Sequence, residues 1–218
     1  MSVNIDPNFS VYNLTTRVDE QETAHLNHRR TMNVISYAIE DISVVDEVQT
    51  RVFAGFQRMS RFLPQVERYT KLAAVAESVY IFGIPDVEVP QIPNLTYIPI
   101  SKHDRLSREW FLVSYGRDFH STLATEEISH IDDDDDERVF KGIWTFDLGL
   151  NTILENWLTR VVDANPLGIN EADLYPDSQQ HYTKQILQRL QDATYPDHST
   201  YDEVETVIEA DVRPLVMA

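Results

Sequence analysis

Five consecutive aspartates, Asp132 to Asp136, form the densest group of carboxylates in the sequence. Carboxylates at alternate positions are calcium ligands, but a calcium loop also needs glycine at its sixth position and glutamate at its twelfth. Counted from Asp132, these positions hold Glu137 and Ile143, so the loop pattern is not met. Because the run lies between two predicted strands, we interpret it as the solvated tip of a hairpin. An acidic contact for a partner and a specific metal site are the alternatives.

Two groupings that include histidine fall short of a metal or cofactor motif. His25 and His28 are spaced to share a helix face, but no further histidine or carboxylate completes a zinc pattern. Asp118 and His120 begin like the Asp-x-His-x-x-Gly motif of cobalamin binding, yet Leu123 stands where glycine is required. We therefore predict no metal site.

Polar residues after the strand predicted at 51–57 favour a ligand site, since ligand crevices of open sheets form at strand ends. Gln57, Arg58 and Arg61 supply polar groups there, although arginines at such positions more often pair with the surplus carboxylates. No nucleotide-binding glycine loop, nucleophile elbow or kinase catalytic loop occurs in the sequence. The candidate ligand-binding residues are Phe56, Gln57, Arg58, Arg61, Trp110 and Trp144.

The composition excludes several classes of chemistry and partner. The sequence has no cysteine, so disulfides, thiolate zinc sites, cysteine nucleophiles and thiol-linked chromophores are excluded, and the identity of any cofactor stays unknown. With 36 acidic and 18 basic residues, the net charge of -18 repels nucleic-acid phosphates and anionic lipids, so we predict neither nucleic acid nor membrane as a partner. Without a signal-peptide pattern or a long apolar run, the chain is predicted to be cytoplasmic.

Hydrophobic periodicity predicts the elements that position these residues. Helices are predicted at 31–45, 64–77 and 148–162, the last with Asp147 as its cap, and strands at 51–57, 78–84, 95–100, on both sides of 116–118, and at 138–146. Strand, helix and strand over 51–84 favour a parallel crossover, and the turn at 116–118 favours an antiparallel hairpin. The predicted fold is α+β, with a mixed sheet of about five to six strands flanked by helices and an added C-terminal helical pair.

The predicted domain organisation is a polar arm at 1–30, a domain at 31–163, a linker at 164–176, and a helical pair with a tail at 177–218. Each helix of the pair carries an apolar stripe that must be buried somewhere. The stripes consist of Tyr182, Ile186, Leu187 and Leu190 on the first helix, and of Val204, Val207 and Ile208 on the second. We predict that they contact a signalling protein or a second copy of the chain; burial on the domain's own sheet is the alternative.

Three segments follow one another in a distinctive order: RVFAGFQRMSRFLPQVERYTKLAAVAESVYIFG, LSREWFLVSYGRDFHSTLATEE and RVFKGIWTFD. Together they resemble the DICT sensory domain, a module found with diguanylate cyclases and two-component systems, over residues 31–163. The resemblance implies a sensory or protein-contact role in bacterial signalling, without a defined ligand or catalytic residue. The chain has no cyclase, histidine-kinase or receiver motif, so a signalling role requires a partner.

Three functional classes remain. The leading one is a cytosolic sensory or regulatory module that binds a non-covalent small ligand or a signalling protein and acts through a partner. The second is a constitutive adaptor without a ligand, which saturable ligand binding would exclude. The third, an enzyme, is disfavoured because no nucleophile, base and orienting group can be named together.

Replacing Asp132 to Asp136 with serine and asparagine is expected to leave the fold intact, because solvated like charges contribute repulsion and no core contacts. A circular-dichroism melt checks this expectation. A large fall in melting temperature, or a bound divalent ion lost with the run, would contradict the hairpin-tip interpretation. Loss of a partner alone would favour the acidic contact.

Overall fold

Seven β-strands form one mixed sheet in the structure, a computed structural model that describes residues 5–18, 25–129 and 137–194. The strands are β1 (His25–His28), β2 (Arg51–Arg58), β3 (Ser78–Ile84), β4 (Leu95–Pro99), β5 (Glu109–Tyr115), β6 (His120–Glu127) and β7 (Val139–Thr145). The predicted α+β class with a mixed sheet is confirmed. The short strand β1 adds one strand to those that the sequence pattern indicates.

The strands lie in the order β1-β7-β6-β5-β2-β3-β4. β2 pairs with β3 in parallel, which confirms the predicted crossover, and β3 pairs with β4 in the same direction. All other neighbours are antiparallel, including the predicted β5–β6 hairpin, whose register pairs Tyr115 with His120. The sheet therefore joins a parallel half to an antiparallel half, and β2 is the strand where the two halves meet.

Helices cover both faces of the sheet. They are α1 (Val11–Val18), α2 (Arg29–Val44), α3 (Met59–Phe62), α4 (Val66–Val75), α5 (Leu148–Val161) and α6 (Pro176–Thr194). Side chains of β2 alternate between two cores, because Val52 and Ala54 pack with α2, α4 and α6 whereas Phe53 packs with α1 and α5. The predicted cap of α5 is confirmed, since Leu150 N donates to Asp147 Oδ1 at 2.7 Å.

The segment before α2 is not the polar arm that its composition predicts. Helix α1 packs on the α5 face with Val11 fully buried, and Ile5 and Phe9 join the same core. Strand β1 pairs antiparallel with β7 at the edge of the sheet. The periodicity missed α1 because the helix buries only a few apolar side chains among polar neighbours.

A buried carboxylate of β5 holds the start of α1. Glu109 Oε2 accepts hydrogen bonds from Val11 N at 2.9 Å and from Tyr12 N at 3.2 Å, and Ser10 Oγ donates to Glu109 Oε1. A carboxylate suits this position because the first N–H groups of a helix have no acceptor within the helix. Burial raises the pKa of the Glu109 carboxyl to about 7, although the same hydrogen bonds oppose the shift.

Helix α6 packs on the protein's own core, so the predicted partner surface is wrong for two of its residues. Ile186 and Leu190 are 0% and 1% exposed and lie in the core beneath α2. Tyr182 is half-buried against Phe119, with ring centroids 6.3 Å apart, and Leu187 is half-buried as well. Val204, Val207 and Ile208 lie outside the described residues, and so does the second helix of the predicted pair.

Polar contacts also fix α6 to the domain. Gln179 Oε1 accepts a hydrogen bond from His120 N at 2.8 Å, and Arg189 pairs with Asp46, just after α2, at 2.8 Å. The apolar stripe of α6 is buried within the domain because α2 and α4 leave part of the antiparallel half of the sheet uncovered, and α6 packs there.

The aspartate run lies outside the described residues, but the chain on both sides of it is described. β6 and β7, which flank the run in sequence, pair antiparallel up to Glu127 and Phe140. The strand assignments on which the hairpin-tip interpretation depends are therefore confirmed. Within residues 5–18, 25–129 and 137–194, no helix is long and apolar enough to cross a membrane.

Leu190→Ala is expected to lower the free energy of unfolding by about 2–5 kcal/mol, because the truncation leaves a cavity in the core. Leu187→Ala serves as the control: it makes the same change in the same helix at a half-buried position. We expect a clearly smaller loss for the control in chemical denaturation. Equal losses, or no loss for Leu190→Ala, would show that α6 does not pack on the domain.

Candidate functional site

A cleft opens between α2 and the sheet, beside the end of β2; we call it the α2 cleft. Helix α2 lines it with Arg29, Asn33, Ser36, Tyr37 and Glu40; β2 with Ala54, Gly55, Phe56 and Gln57; β5 with Trp110, Phe111 and Leu112; and other elements with Arg61, Gln65, Tyr69 and Arg138. The cavity within the cleft has a volume of about 40 Å³. It is thus a narrow site with room for a small polar group.

Four of the six residues predicted to bind a ligand line this cleft, namely Phe56, Gln57, Arg61 and Trp110. The other two lie elsewhere. Arg58 ends β2 opposite Ile84 of β3. Trp144 packs on Phe146, and its Nε1 donates to Ser121 Oγ at 2.9 Å.

An irregularity in β2 turns Gln57 into the cleft region. The register with β3 shifts between Gly55 and Gln57, and Gln57 has a φ of 65°, a conformation that side-chain-bearing residues seldom adopt. Gly55 permits the close approach of β5, because a Cβ there would lie 2.4 Å from the Phe111 ring. Such a backbone persists only where surrounding contacts hold it.

A buried polar network supplies those contacts. Arg138, 1% exposed at its side chain, donates from Nε to Glu127 Oε1 at 2.6 Å and from Nη2 to Glu127 Oε2 at 3.0 Å. Gln57 Nε2 donates to Glu127 Oε2 at 2.7 Å, while Gln57 Oε1 accepts from Arg138 Nη2 at 2.5 Å. We call this arrangement the Gln57–Glu127–Arg138 network. It ties the end of β2 to the end of β6 and the start of β7.

The network keeps Glu127 ionised although the carboxylate is buried. Burial alone would raise the pKa of this carboxyl, but the hydrogen bonds and charge of Arg138, with the Gln57 amide and the Arg61 charge, lower it below the usual range. Arg138 also lies over the Phe140 ring, 5.0 Å from its centroid. A buried guanidinium–carboxylate pair of this kind is costly to break from either side.

A second polar group closes the opposite wall of the cleft. Tyr69 OH donates to Glu40 Oε1 at 2.7 Å, and Arg68 donates to Glu40 Oε2 and, at 2.6 Å, to Asp41 Oδ1. Burial raises the pKa of the Glu40 carboxyl, and the Arg68 charge offsets that shift only in part. These bonds join α2 to α4, so both walls are held by ionic hydrogen bonds.

Ser36 adds a polar atom whose hydrogen-bonding capacity is unused within the described structure. Its side chain, 4% exposed, lines the α2 cleft, and no described residue lies within hydrogen-bonding distance of its Oγ. An unpaired buried hydroxyl is unfavourable, and a bound water, ion or ligand in the cleft would supply the missing hydrogen bond.

The structure also locates the histidines that the sequence analysis considered for a metal or cofactor site. Among them, no three histidine or acidic side chains converge as metal ligands. His120, from the segment that begins like a cobalamin motif, has its Nε2 3.1 Å from the carbonyl oxygen of Phe146. His25 and His28 lie on β1, opposite Gly142 and Val139, instead of on a helix.

Sequence patterns missed Ser36, Glu127 and Arg138. Arg138 follows the aspartate run and Glu137 directly, so it is easily taken for part of a solvated charged segment. Ser36 is one polar residue inside an amphipathic helix. The signal that was present is the Glu-Arg-Tyr triplet at 67–69, part of the quoted resemblance, which places Arg68 and Tyr69 on the cleft wall.

Comparison with known proteins gives one match. A family model described as "Sensory domain in DIguanylate Cyclases and Two-component system" (DICT) matches residues 8–127, more than half of the 218-residue chain. The match begins before the region of resemblance at 31–163 and includes α1, in agreement with the packing of α1 on the sheet. Neither a curated protein nor a solved structure matches the chain.

Glu127→Ala is expected to lower the free energy of unfolding by about 3–5 kcal/mol, because it leaves the Arg138 guanidinium buried beside no carboxylate. Glu126→Ala is the matched control, since Glu126 is exposed enough to reach water and faces Arg105 at 3.8 Å. We expect at most about 1 kcal/mol for the control. Urea denaturation of both variants measures the difference.

The pH dependence gives this prediction a second readout. The pKa of Glu127 is lower in the folded state than in the unfolded state. Its contribution to the free energy of unfolding is therefore full at pH values above the usual carboxyl pKa, and it is lost as the pH falls through the folded-state pKa. The wild type should therefore lose stability on acidification more steeply than Glu127→Ala. Parallel curves would contradict the network.

Proposed function

Because the chain belongs to the DICT family of sensory domains, we propose that it senses a small, non-covalently bound ligand in the α2 cleft and signals through a partner. The proposed setting is bacterial cytosolic signalling, which the family's occurrence with cyclases and two-component systems supports. The net negative charge of the chain disfavours nucleic acid and anionic membranes as partners.

The observation that carries the proposal is the unpaired Ser36 hydroxyl inside a cleft whose walls are held in place by hydrogen-bonded polar groups. Gln57, Arg138 and Glu127 fix one wall, and Glu40 with Tyr69 fixes the other. A cleft that is built so firmly and leaves one inward hydroxyl without a partner is prepared for a ligand that supplies the missing hydrogen bond.

Helix α2 offers a route from the ligand to a partner. Its cleft side carries Ser36 and Glu40, while Ile35 and Ile39 of the same helix lie in the core that also holds Ile186 of α6. A ligand that shifts α2 would therefore disturb the packing of α6. We propose that the partner recognises the position of α6 without contacting the buried stripe itself.

A constitutive adaptor is the second candidate, and one observation favours it. Ile153 and Trp157, one turn apart on α5, are 37% and 46% exposed. Large apolar side chains on an exposed helix face are common at protein contacts. This surface lies on the face of the sheet opposite the cleft, so an adaptor role would not account for the unpaired Ser36 hydroxyl.

Ser36→Ala is expected to remove the retained ligand from protein purified from its source, or to weaken ligand binding about tenfold, because one hydrogen bond is lost. The same change should raise the stability of the ligand-free protein by about 1 kcal/mol, since an unpaired buried hydroxyl disappears. Native mass spectrometry and denaturation measure the two effects.

Ser43→Ala is the matched control on the same helix, since the buried Ser43 hydroxyl already bonds to Thr50 Oγ1 at 3.0 Å. It should cost about 1 kcal/mol of stability and leave ligand binding unchanged. If the native protein retains no ligand and binds none saturably from a metabolite extract, the adaptor candidate replaces the sensor.

A further inference from the structure

One oxygen in the α2 cleft accepts hydrogen bonds from two guanidinium groups. Arg138 Nη2 donates to Gln57 Oε1 at 2.5 Å, and Arg61 Nη1 donates to the same atom. Guanidinium groups form their strongest hydrogen bonds with carboxylate and phosphate oxygens, whose charge matches their own. Here a neutral amide oxygen takes the place of an anion.

The charges around this oxygen favour a negative group. Among the described residues, the charged side chains that contact the Gln57 amide are Arg61, Arg138 and Glu127, two cations and one anion. Of the described residues that line the cleft, three are arginine and one is glutamate. In a chain with twice as many acidic as basic residues, the cleft is a local exception.

Gln57 is also held in an unusual backbone conformation, with a φ of 65° at a break in the β2 register. The hydrogen bonds that the Gln57 side-chain amide forms with Glu127, Arg138 and Arg61 hold this conformation. If another oxygen accepted the hydrogen bonds of Arg61 and Arg138, the Gln57 side chain would lose two of its own hydrogen bonds. The Gln57 backbone would then be free to relax.

We infer that the α2 cleft binds a small monocarboxylate, one oxygen of which replaces Gln57 Oε1 between Arg61 and Arg138. This inference rests on the proposed function and names its ligand class. The cleft has room for about three water molecules, and the displaced amide adds about three non-hydrogen atoms, so propionate, lactate and pyruvate have the right size. A hydroxyl or carbonyl group on the ligand suits the hydroxyl of Ser36.

Displacement of Gln57 gives the ligand a mechanical effect. Gln57 lies two residues before α3, which begins at Met59 and packs against β2 and β3 with Phe62 fully buried. Relaxation of the strained residue would move this connection. Binding therefore couples to the position of α3 and of the helices that cover this face.

Titration calorimetry with propionate, lactate and pyruvate tests the inference, with propionamide and lactamide as neutral analogues and chloride to hold the ionic strength constant. Gln57→Ala removes the competing oxygen and should tighten carboxylate binding about tenfold. Arg61→Gln removes one donor and should weaken it about tenfold or more. Arg105→Gln makes the same change of charge at an exposed position and should leave binding unchanged.

Each outcome decides the matter. Carboxylate binding that responds to both variants supports the inference. If the amides bind as tightly as the acids, or if binding ignores Gln57 and Arg61, the carboxylate assignment is wrong. If no carboxylate binds while the native protein retains a ligand that Ser36→Ala loses, the ligand class is wrong and the sensor stands. If neither is seen, both proposals fail.

Discussion

The burial of Arg138 beside Glu127 is the constraint on which the cleft depends. A guanidinium group that is 1% exposed must keep its carboxylate and amide acceptors, because an unpaired charge in the interior is far more costly than any single packing contact. Glu127 ends β6, Arg138 precedes β7, and Gln57 sits at the irregular end of β2. The pair therefore fixes three strands at one place, and the strained φ of Gln57 follows from that arrangement.

The sheet separates two hydrophobic cores. On one face, α2, α4 and α6 share one core, and the α2 cleft opens between α2 and the sheet. On the other face, α1 and α5 form a second core, and Glu109 clamps the start of α1 through backbone N–H groups. Because both faces share β2 and β5, the proposed change at Gln57 would act on strands that carry both cores.

Local patterns predicted much of this fold, and long-range polar contacts account for what they missed. The crossover over 51–84, the β5–β6 hairpin and the capped helix α5 follow from periodicity and turn chemistry, which nearby residues determine. Helix α1 depends on Glu109, nearly a hundred residues away in sequence, and its few apolar residues give no clear pattern. Arg138 similarly depends on a hydrogen bond to Gln57, which is 81 residues away in sequence. Because Arg138 follows an acidic stretch, the sequence did not reveal that it is buried. The stripe on α6 was recognised as apolar, but its partner within the domain was not visible in the sequence.

The central claim is that the Gln57 amide oxygen occupies the position of a ligand's anionic oxygen. High-resolution crystal structures of the protein, prepared without carboxylates and then with propionate, test it most directly. We predict Gln57 Oε1 at about 2.7–3.0 Å from both guanidinium groups in the first structure. In the second, a propionate oxygen should occupy that position, with the Gln57 side chain turned away and its backbone relaxed. Gln57 still bound to both arginines in the presence of propionate, or propionate located outside the α2 cleft, would contradict the account.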